Sequence, residues 1–240
     1  MNIKIIGKNE GFRAEYLIEK YLHCKKINEL SDTNLKKFIL FICHDNNICI
    51  TDNLKIQVKN IAKNEIKIKG SLKTDKIISI NEKDYRISIK TGKGNAFHQE
   101  PRDSFVNFLK DKLNIDDKLI NLLDEFLEDK KVKIKNTDLS KFFQRNKLIL
   151  INRVLSGRYN ESSVDYYIFC PQLVKEDTQE NKIKKIEKCK FIKKNALIDY
   201  LNTHESKGSC PVGRLNFQAY NRKKGTAIQF KWGNCYDDIK

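Results

Sequence analysis

Proline and glycine are scarce in this 240-residue chain, at three and ten residues. No Pro/Gly-rich hinge, low-complexity linker or internal repeat interrupts it, so one domain over 1–240 is the expectation. Cysteine is present but unpatterned. Cys24, Cys43, Cys49, Cys170, Cys189, Cys210 and Cys235 include no Cys-Xaa-Xaa-Cys pair, and an odd number at irregular spacing argues against both a disulfide framework and a zinc ribbon. No stretch approaches the roughly 18 uninterrupted apolar residues of a membrane span, and MNIKIIGKNEGFR lacks the apolar run of a signal peptide. The expectation is a soluble, reduced, cytoplasmic protein with no membrane partner. Acidic residues are also in short supply: 31 Asp and Glu face 47 Lys and Arg, a formal charge of +16. Codon bias toward lysine, asparagine and isoleucine inflates the lysine count but does not require so lopsided a balance. The resulting field attracts polyanions, and nucleic acid outranks anionic membrane because no amphipathic anchor accompanies the charge.

Hydrophobic residues make up 40% of the chain, enough for a folded core. Their period changes along the sequence. Phe12, Tyr16, Leu17 and Tyr21 recur at helical spacing over Glu10 to about Leu22, with Glu15 and Glu19 four apart on a neighbouring face. A second helix is predicted from Thr33 to Ile42, capped by Ser31 or Asp32 and striped by Leu35, Phe38, Ile39 and Ile42. From Ile48 to Lys90 the alternation is two-fold (Ile66, Ile68; Ile78, Ile80; Ile87, Ile89), punctuated at Gly70 and Asn81 as antiparallel hairpins require. Helical spacing returns after Gly94, in stretches opening near Asp103 or Ser104, at Asp116 and at Thr137, the last running through Leu155. Late strands are predicted at Tyr166–Phe169, Leu215–Ala219 and Ala227–Trp232, with a helix from Asn195 to about His204. This order predicts an α/β (α+β) fold, a mixed central β-sheet flanked by helices.

The segment most informative about chemistry is Gly70 to Glu100, GSLKTDKIISINEKDYRISIKTGKGNAFHQE. Asp75 opens one strand, and Arg86, Ser88 and Lys90 share a face of the next, because alternate strand residues point the same way. A carboxylate and an amine can thus converge at a sheet edge. Phosphodiester hydrolysis needs a metal to offset charge on the phosphate, carboxylates to hold that metal, and a lysine to orient water. By itself an Asp followed by Xaa-Lys on a strand is common in a lysine-rich chain, and solvated strand ends are then the favoured explanation.

The residues also resemble a family. Lys73-Thr74-Asp75 and Ser88-Ile89-Lys90 look like the active site of type II restriction endonucleases of the PD-(D/E)XK superfamily, in a variant with Ser-Xaa-Lys in place of (D/E)XK. Ser88 departs from the pattern, since a hydroxyl does not replace a carboxylate on magnesium. The resemblance implies that the missing acid comes from further along, and Glu100 in His98-Gln99-Glu100 is the nearest candidate. GKGNAFHQE after Lys90 is similar to a longer signature in a subset of these enzymes; Gly92 and Gly94 would let the backbone turn beside a phosphate, with Lys93, Asn95 and Gln99 as DNA contacts, or the stretch is merely a turn before a helix. His98 either meets the scissile phosphate, helps place Glu100, or is structural. Glu15 is either a further metal donor or ordinary helix-surface charge, the reading preferred for Glu19.

Near the C-terminus, within 205–240, VGRLNFQAYNRKKGTAIQFKWG mixes aromatics with base-reading side chains. Arg214, Gln218, Asn221 and Arg222 are the recognition candidates, with Lys223 among the phosphate contacts, whereas Phe217, Tyr220, Phe230 and Trp232 read as core. The run Lys182 to Lys194, seven lysines against Glu187 alone, is either a DNA flank or a soluble loop. The resemblance implies Mg²⁺-dependent, sequence-specific cleavage of double-stranded DNA leaving 5′-phosphates, with the metal site inside 10–130 and a cognate DNA methyltransferase as functional partner. A palindromic target would favour a homodimer. Two alternatives stay open: a DNA-binding protein without catalysis, and a ribonuclease or repair nuclease on a related core.

Overall fold

The computed structural model describes residues 10–59, 74–91, 96–129, 132–157, 164–176, 182–220 and 227–239. The expectations placed on Ile66, Ile68, Gly70, Lys73, Gly92, Lys93, Gly94, Asn95, Asn221, Arg222 and Lys223 lie outside the described residues. The chain divides into two compact units, one formed by Met1–Gly94, Arg158–Lys194 and Tyr236–Lys240, the other by Asn95–Gly157 and Asn195–Cys235. A sequence without a hinge reads as one domain. The chain passes between the units at Gly94–Asn95, Gly157–Arg158, Lys194–Asn195 and Cys235–Tyr236.

The first unit begins with helix α1 (Glu10–Leu22), strand β1 (Lys25–Lys26) and helix α2 (Thr33–Asp45). Among the described side chains the buried stripe of α1 is Ala14, Leu17, Ile18 and Leu22; of the predicted stripe Leu17 is buried, and Tyr16 and Tyr21 are partly exposed. In α2 the prediction and the structure coincide. The Asp32 carboxylate accepts from the backbone N–H groups of Asn34 (2.9 Å) and Leu35 (3.0 Å), satisfying helix-end donors, while Leu35, Phe38, Ile39, Ile42 and Cys43 are buried. Strands β2 (Lys55–Lys59), β3 (Lys76–Ile80) and β4 (Lys83–Thr91) follow as antiparallel neighbours. Ile80 pairs with Lys83 across a two-residue turn in which Asn81 and Glu82 have φ of 48° and 66°. Positive φ at both central residues matches the strand twist of a tight hairpin, which is why asparagine suits the first position.

In the second unit β5 (Ala96–Pro101) leads into helices α3 (Arg102–Leu113), α4 (Asp117–Glu128), α5 (Asp138–Arg145) and α6 (Lys147–Ser156). Thr137 opens α5 as predicted, but the stretch expected to run through Leu155 is broken at Asn146, whose backbone N–H and side-chain amide both donate to the carbonyl of Phe142, at 3.1 and 2.9 Å. The chain then returns to the first unit with β6 (Tyr166–Glu176) and β7 (Lys182–Lys193). The lysine run is thus a strand, a form the sequence analysis did not assign it. Positioned at the end of the sheet, its lysines discourage pairing with another chain. Helix α7 (Lys194–Thr203), strands β8 (Pro211–Val212), β9 (Leu215–Tyr220) and β10 (Ala227–Lys231), and the short α8 (Cys235–Asp238) complete the chain.

The first unit's sheet has six strands in the order β1-β2-β3-β4-β6-β7, antiparallel except for the parallel β4–β6 pair. Both α1 and α2 pack on it, and their apolar stripes join Ile56, Val58, Ile78, Ile80, Ile87 and Ile168 in one core. The second unit's sheet is a separate antiparallel set, β5-β10-β9-β8. Its core is aromatic: Phe217 lies 4.8 Å from Phe143, 5.3 Å from Phe230 and 5.8 Å from Phe105, centroid to centroid, and all four are fully buried. Edge-to-face and offset pairs of this kind add specific geometry to the area they bury. The fold is a mixed α+β architecture, as the sequence order predicts.

Phe217→Ala removes the ring shared by these contacts and leaves a cavity among rigid neighbours, so it should lower unfolding free energy by about 3–5 kcal/mol. Urea unfolding followed by tryptophan fluorescence and circular dichroism measures the loss; a change below about 1 kcal/mol would refute this account of the core.

Candidate active site

Asp75 stands immediately before β3, and the β3–β4 pairing carries on through it. Its backbone N–H donates to the Ile87 carbonyl at 2.8 Å, and its carboxylate Oδ2 accepts from the Ile89 N–H (2.6 Å) and the Ser88 hydroxyl (3.2 Å). The acid is therefore fixed against the strand that carries Ser88-Ile89-Lys90. Ser88 is fully buried and pairs in register with Tyr167 on β6; Lys90 lies two residues further on the same face, half-buried, opposite Phe169. Among the described residues no protein donor meets Asp75 Oδ1, and the buried Thr74 hydroxyl beside it has no partner.

A second carboxylate comes from α1. The Glu15 carboxyl is pushed up to about 7, first by burial and then by the negative charge of Asp75, against a smaller opposing pull from Lys76. Glu19 is one turn on and is committed elsewhere, accepting from the Lys76 ammonium at 2.8 Å. Its assignment as ordinary charge thus needs amendment, because Lys76 is only 8% exposed and the pair is part of the site's wall. Two carboxylates held near each other, with an unpartnered hydroxyl alongside, fit a hard divalent cation. Mg²⁺ takes one or two protein carboxylates and keeps waters or phosphate oxygens for the rest. Among the described residues no group of three or more His, Cys, Asp or Glu side chains is arranged to hold a metal, so any such site is an open one.

Glu100 is placed differently from the expectation. It lies on β5 in the second unit, whereas Asp75 and Lys90 belong to the first. Its side chain has no exposed surface, and its oxygens accept from Arg153 Nη2 (2.9 Å) and the Ser104 hydroxyl (3.0 Å) and meet His98 Nε2 (2.9 Å). Burial alone would raise this carboxyl; the hydrogen bonds and charges of His98 and Arg153 outweigh it and hold it down at about 2. The acid is already neutralised by a buried guanidinium, and a cation there would have to displace Arg153. His98 is accordingly part of a buried ion-pair cluster.

Three further candidates are among the described residues, all in the second unit. Gln99 is exposed, Gln218 is half-buried and donates through Nε2 to Gln229 Oε1 at 2.9 Å, and Arg214 donates to the Glu205 carbonyl at 3.2 Å. Sequence reasoning missed Arg153, Lys76, Tyr167 and Gln229. Arg153 did leave a signal, a lone arginine among the apolar Leu150, Ile151, Val154 and Leu155 of α6; such a residue on a buried stripe asks for an acid partner.

No protein-family model matches the chain, and no curated protein matches it in sequence. In structure it is similar to the restriction endonuclease MspI, solved in complex with its cognate DNA, with a TM-score of 0.60 over 92% of this chain and 87% of that one at 16% sequence identity. The two share a fold: a mixed sheet flanked by helices, of the restriction-endonuclease kind. No helix among the described residues is long and apolar enough to cross a membrane.

Because the Glu100 carboxyl is depressed on folding, its contribution to stability is present above its ordinary value of 4.5 and is lost as pH falls through about 2. Glu100→Gln should therefore show a shallower fall in unfolding free energy over that window than the unmodified protein, and be weaker by about 3–5 kcal/mol at neutral pH, where Arg153 is left buried without its anion. Chemical denaturation repeated at several pH values gives both quantities; parallel pH curves would contradict the assignment.

Proposed function

We propose that the protein is a type II restriction endonuclease that hydrolyses double-stranded DNA at specific sequences with Mg²⁺, leaving 5′-phosphates. The observation that carries this is the clamp of Asp75 onto Ser88-Ile89-Lys90 at the end of β3, in a chain sharing its fold with a restriction endonuclease. Asp75 and Glu15 would hold the metal, which when bound offsets charge on the scissile phosphate. Ser88, the departure from the usual acid, anchors the Asp75 carboxylate through its hydroxyl in place of ligating metal itself. Lys90 orients the attacking water and adds a positive charge beside the phosphate, so that negative charge developing on the phosphoryl oxygens meets a fixed cation. The leaving 3′ oxygen departs in line with the attack. The excess of basic residues supplies sequence-independent attraction for the duplex. Lys93, Asn95, Gln99, Arg214, Gln218, Asn221, Arg222 and Lys223 remain the candidates for DNA contact. A two-fold symmetric target implies a homodimer, and a host carrying such an activity needs a DNA methyltransferase that protects its own sites.

Incubating plasmid DNA with protein and Mg²⁺ should yield discrete fragments whose ends ligate without prior phosphorylation. Asp75→Ala and Lys90→Ala should each slow cutting by roughly 10²–10³-fold or more while duplex binding, measured in Ca²⁺, stays within a few-fold. Sequence-specific binding without cutting would point to a non-catalytic DNA-binding protein, and preferential cleavage of RNA to a ribonuclease.

A further inference from the structure

We infer that a row of three glutamines across the second unit's sheet reads base edges in the DNA, with Gln229 as the residue that positions the reader Gln218. The inference rests on the nuclease reading above and assigns its sequence preference. In the strand register Gln99 on β5 pairs with Gln229 on β10, which pairs with Gln218 on β9. Directly opposed residues of neighbouring strands point to the same side, so the three amides form one line across the strands. The opposite side of these strands carries Glu100, Phe230 and Phe217, all buried in the unit's core, so the amide line is on the face turned away from that core. With strands about 4.8 Å apart the line spans roughly 10 Å. That is less than the roughly 12 Å width of a major groove.

Strand positions favour β-branched and aromatic residues, and three successive glutamines in register gain little from propensity or packing. Their exposures differ in a way that assigns roles. Gln99 is exposed, Gln218 is half-buried, and Gln229 between them is 4% exposed. Gln229 Oε1 accepts one N–H of the Gln218 amide at 2.9 Å. That bond orients the Gln218 amide and leaves its second N–H and its Oε1 available to a ligand. An adjacent donor and acceptor on a planar amide is the pattern that pairs with adenine N7 and N6–H₂. Two residues along the same strands, Pro101, Ala227 and Tyr220 form the next row, apolar and largely solvent-facing, with Tyr220 at 43% exposure. An apolar row beside an amide row suits the C5-methyl group of thymine. The ligand chemistry is therefore an A·T base pair presented in the major groove, with Gln218 and Gln99 as contacts.

Selection from a randomised duplex pool in Ca²⁺, followed by competition between the selected site and versions with single A·T to G·C exchanges, tests this directly. The selected site should contain an A·T pair at which exchange weakens binding. Gln218→Ala should shrink that discrimination by roughly 5- to 150-fold, leaving the dependence on salt concentration unchanged, since phosphate contacts are retained. Gln229→Met, which removes the acceptor but keeps the chain length, should reproduce the loss, and Gln229→Glu, which restores an acceptor, should recover part of it. Thermal melting establishes that each variant folds; should Gln229→Met fail to fold, Gln218→Ala decides alone. A selected site made only of G·C pairs, or full discrimination retained by Gln218→Ala, overturns the inference and leaves the nuclease reading intact. Absence of any duplex binding by the unmodified protein overturns both.

Discussion

The Asp75 carboxylate is held by the strand it faces. One oxygen takes the Ile89 N–H and the Ser88 hydroxyl together, and the Asp75 N–H closes the loop by donating to Ile87. Three short contacts on one residue turn a strand end, normally the part of a sheet that frays, into a fixed point. The remaining features of the site are arranged around it: Glu15 is perturbed by its charge, Lys76 next to it pairs with Glu19, and Tyr167 across β4 is desolvated beside it. An isolated carboxylate there would gain more from solvation than from order, and the neighbouring Glu15 meets its repulsion.

Ser88 places a hydroxyl, and no further charge, against the Asp75 carboxylate. A third carboxylate beside Asp75 and Glu15 would add repulsion in a region where Glu15 already resists ionisation. The hydroxyl instead donates to Asp75, lowering the need for countercharge. Glu100, further along the chain, is spent on Arg153 and His98, where it joins β5 to α6 through a buried ion pair with Arg153. The same His-Gln-Glu stretch thus alternates cleanly: His98 and Glu100 face inward as a cluster, and Gln99 faces outward into the amide row.

Much of this was legible in the sequence. The two-fold alternation of Ile78, Ile80, Ile87 and Ile89 and the Asn81 turn identify the hairpin, and through it the meeting of Asp75 with the Ser88 strand, because local spacing determines both. The Asp32 cap and the α2 stripe are local for the same reason. What was not legible depends on partners distant in the chain. Arg153 is 53 residues from Glu100, so spacing alone left that acid looking available for metal. The β7 strand was hidden because six lysines mask its alternation, and it is the last strand of the described sheet. Gln229 is unremarkable until register sets it between Gln99 and Gln218.

The parallel pairing of β4 with β6 has a consequence for the order in which the molecule assembles. Thr91 and Tyr166 bracket the whole of Asn95–Gly157, so the flank of β4 that receives β6 stays without a partner until that long excursion has been synthesised. Closing a loop of this size before any reward from pairing makes the step slow relative to the local hairpin β3–β4. A chain emerging from the ribosome would therefore hold Asp75 against Ser88 early, yet lack Tyr167 and the completed wall until late. The surroundings of Asp75 would be among the last parts of the unit to be completed, and the side of β4 that awaits β6 during that interval is exposed to mispairing with other nascent chains.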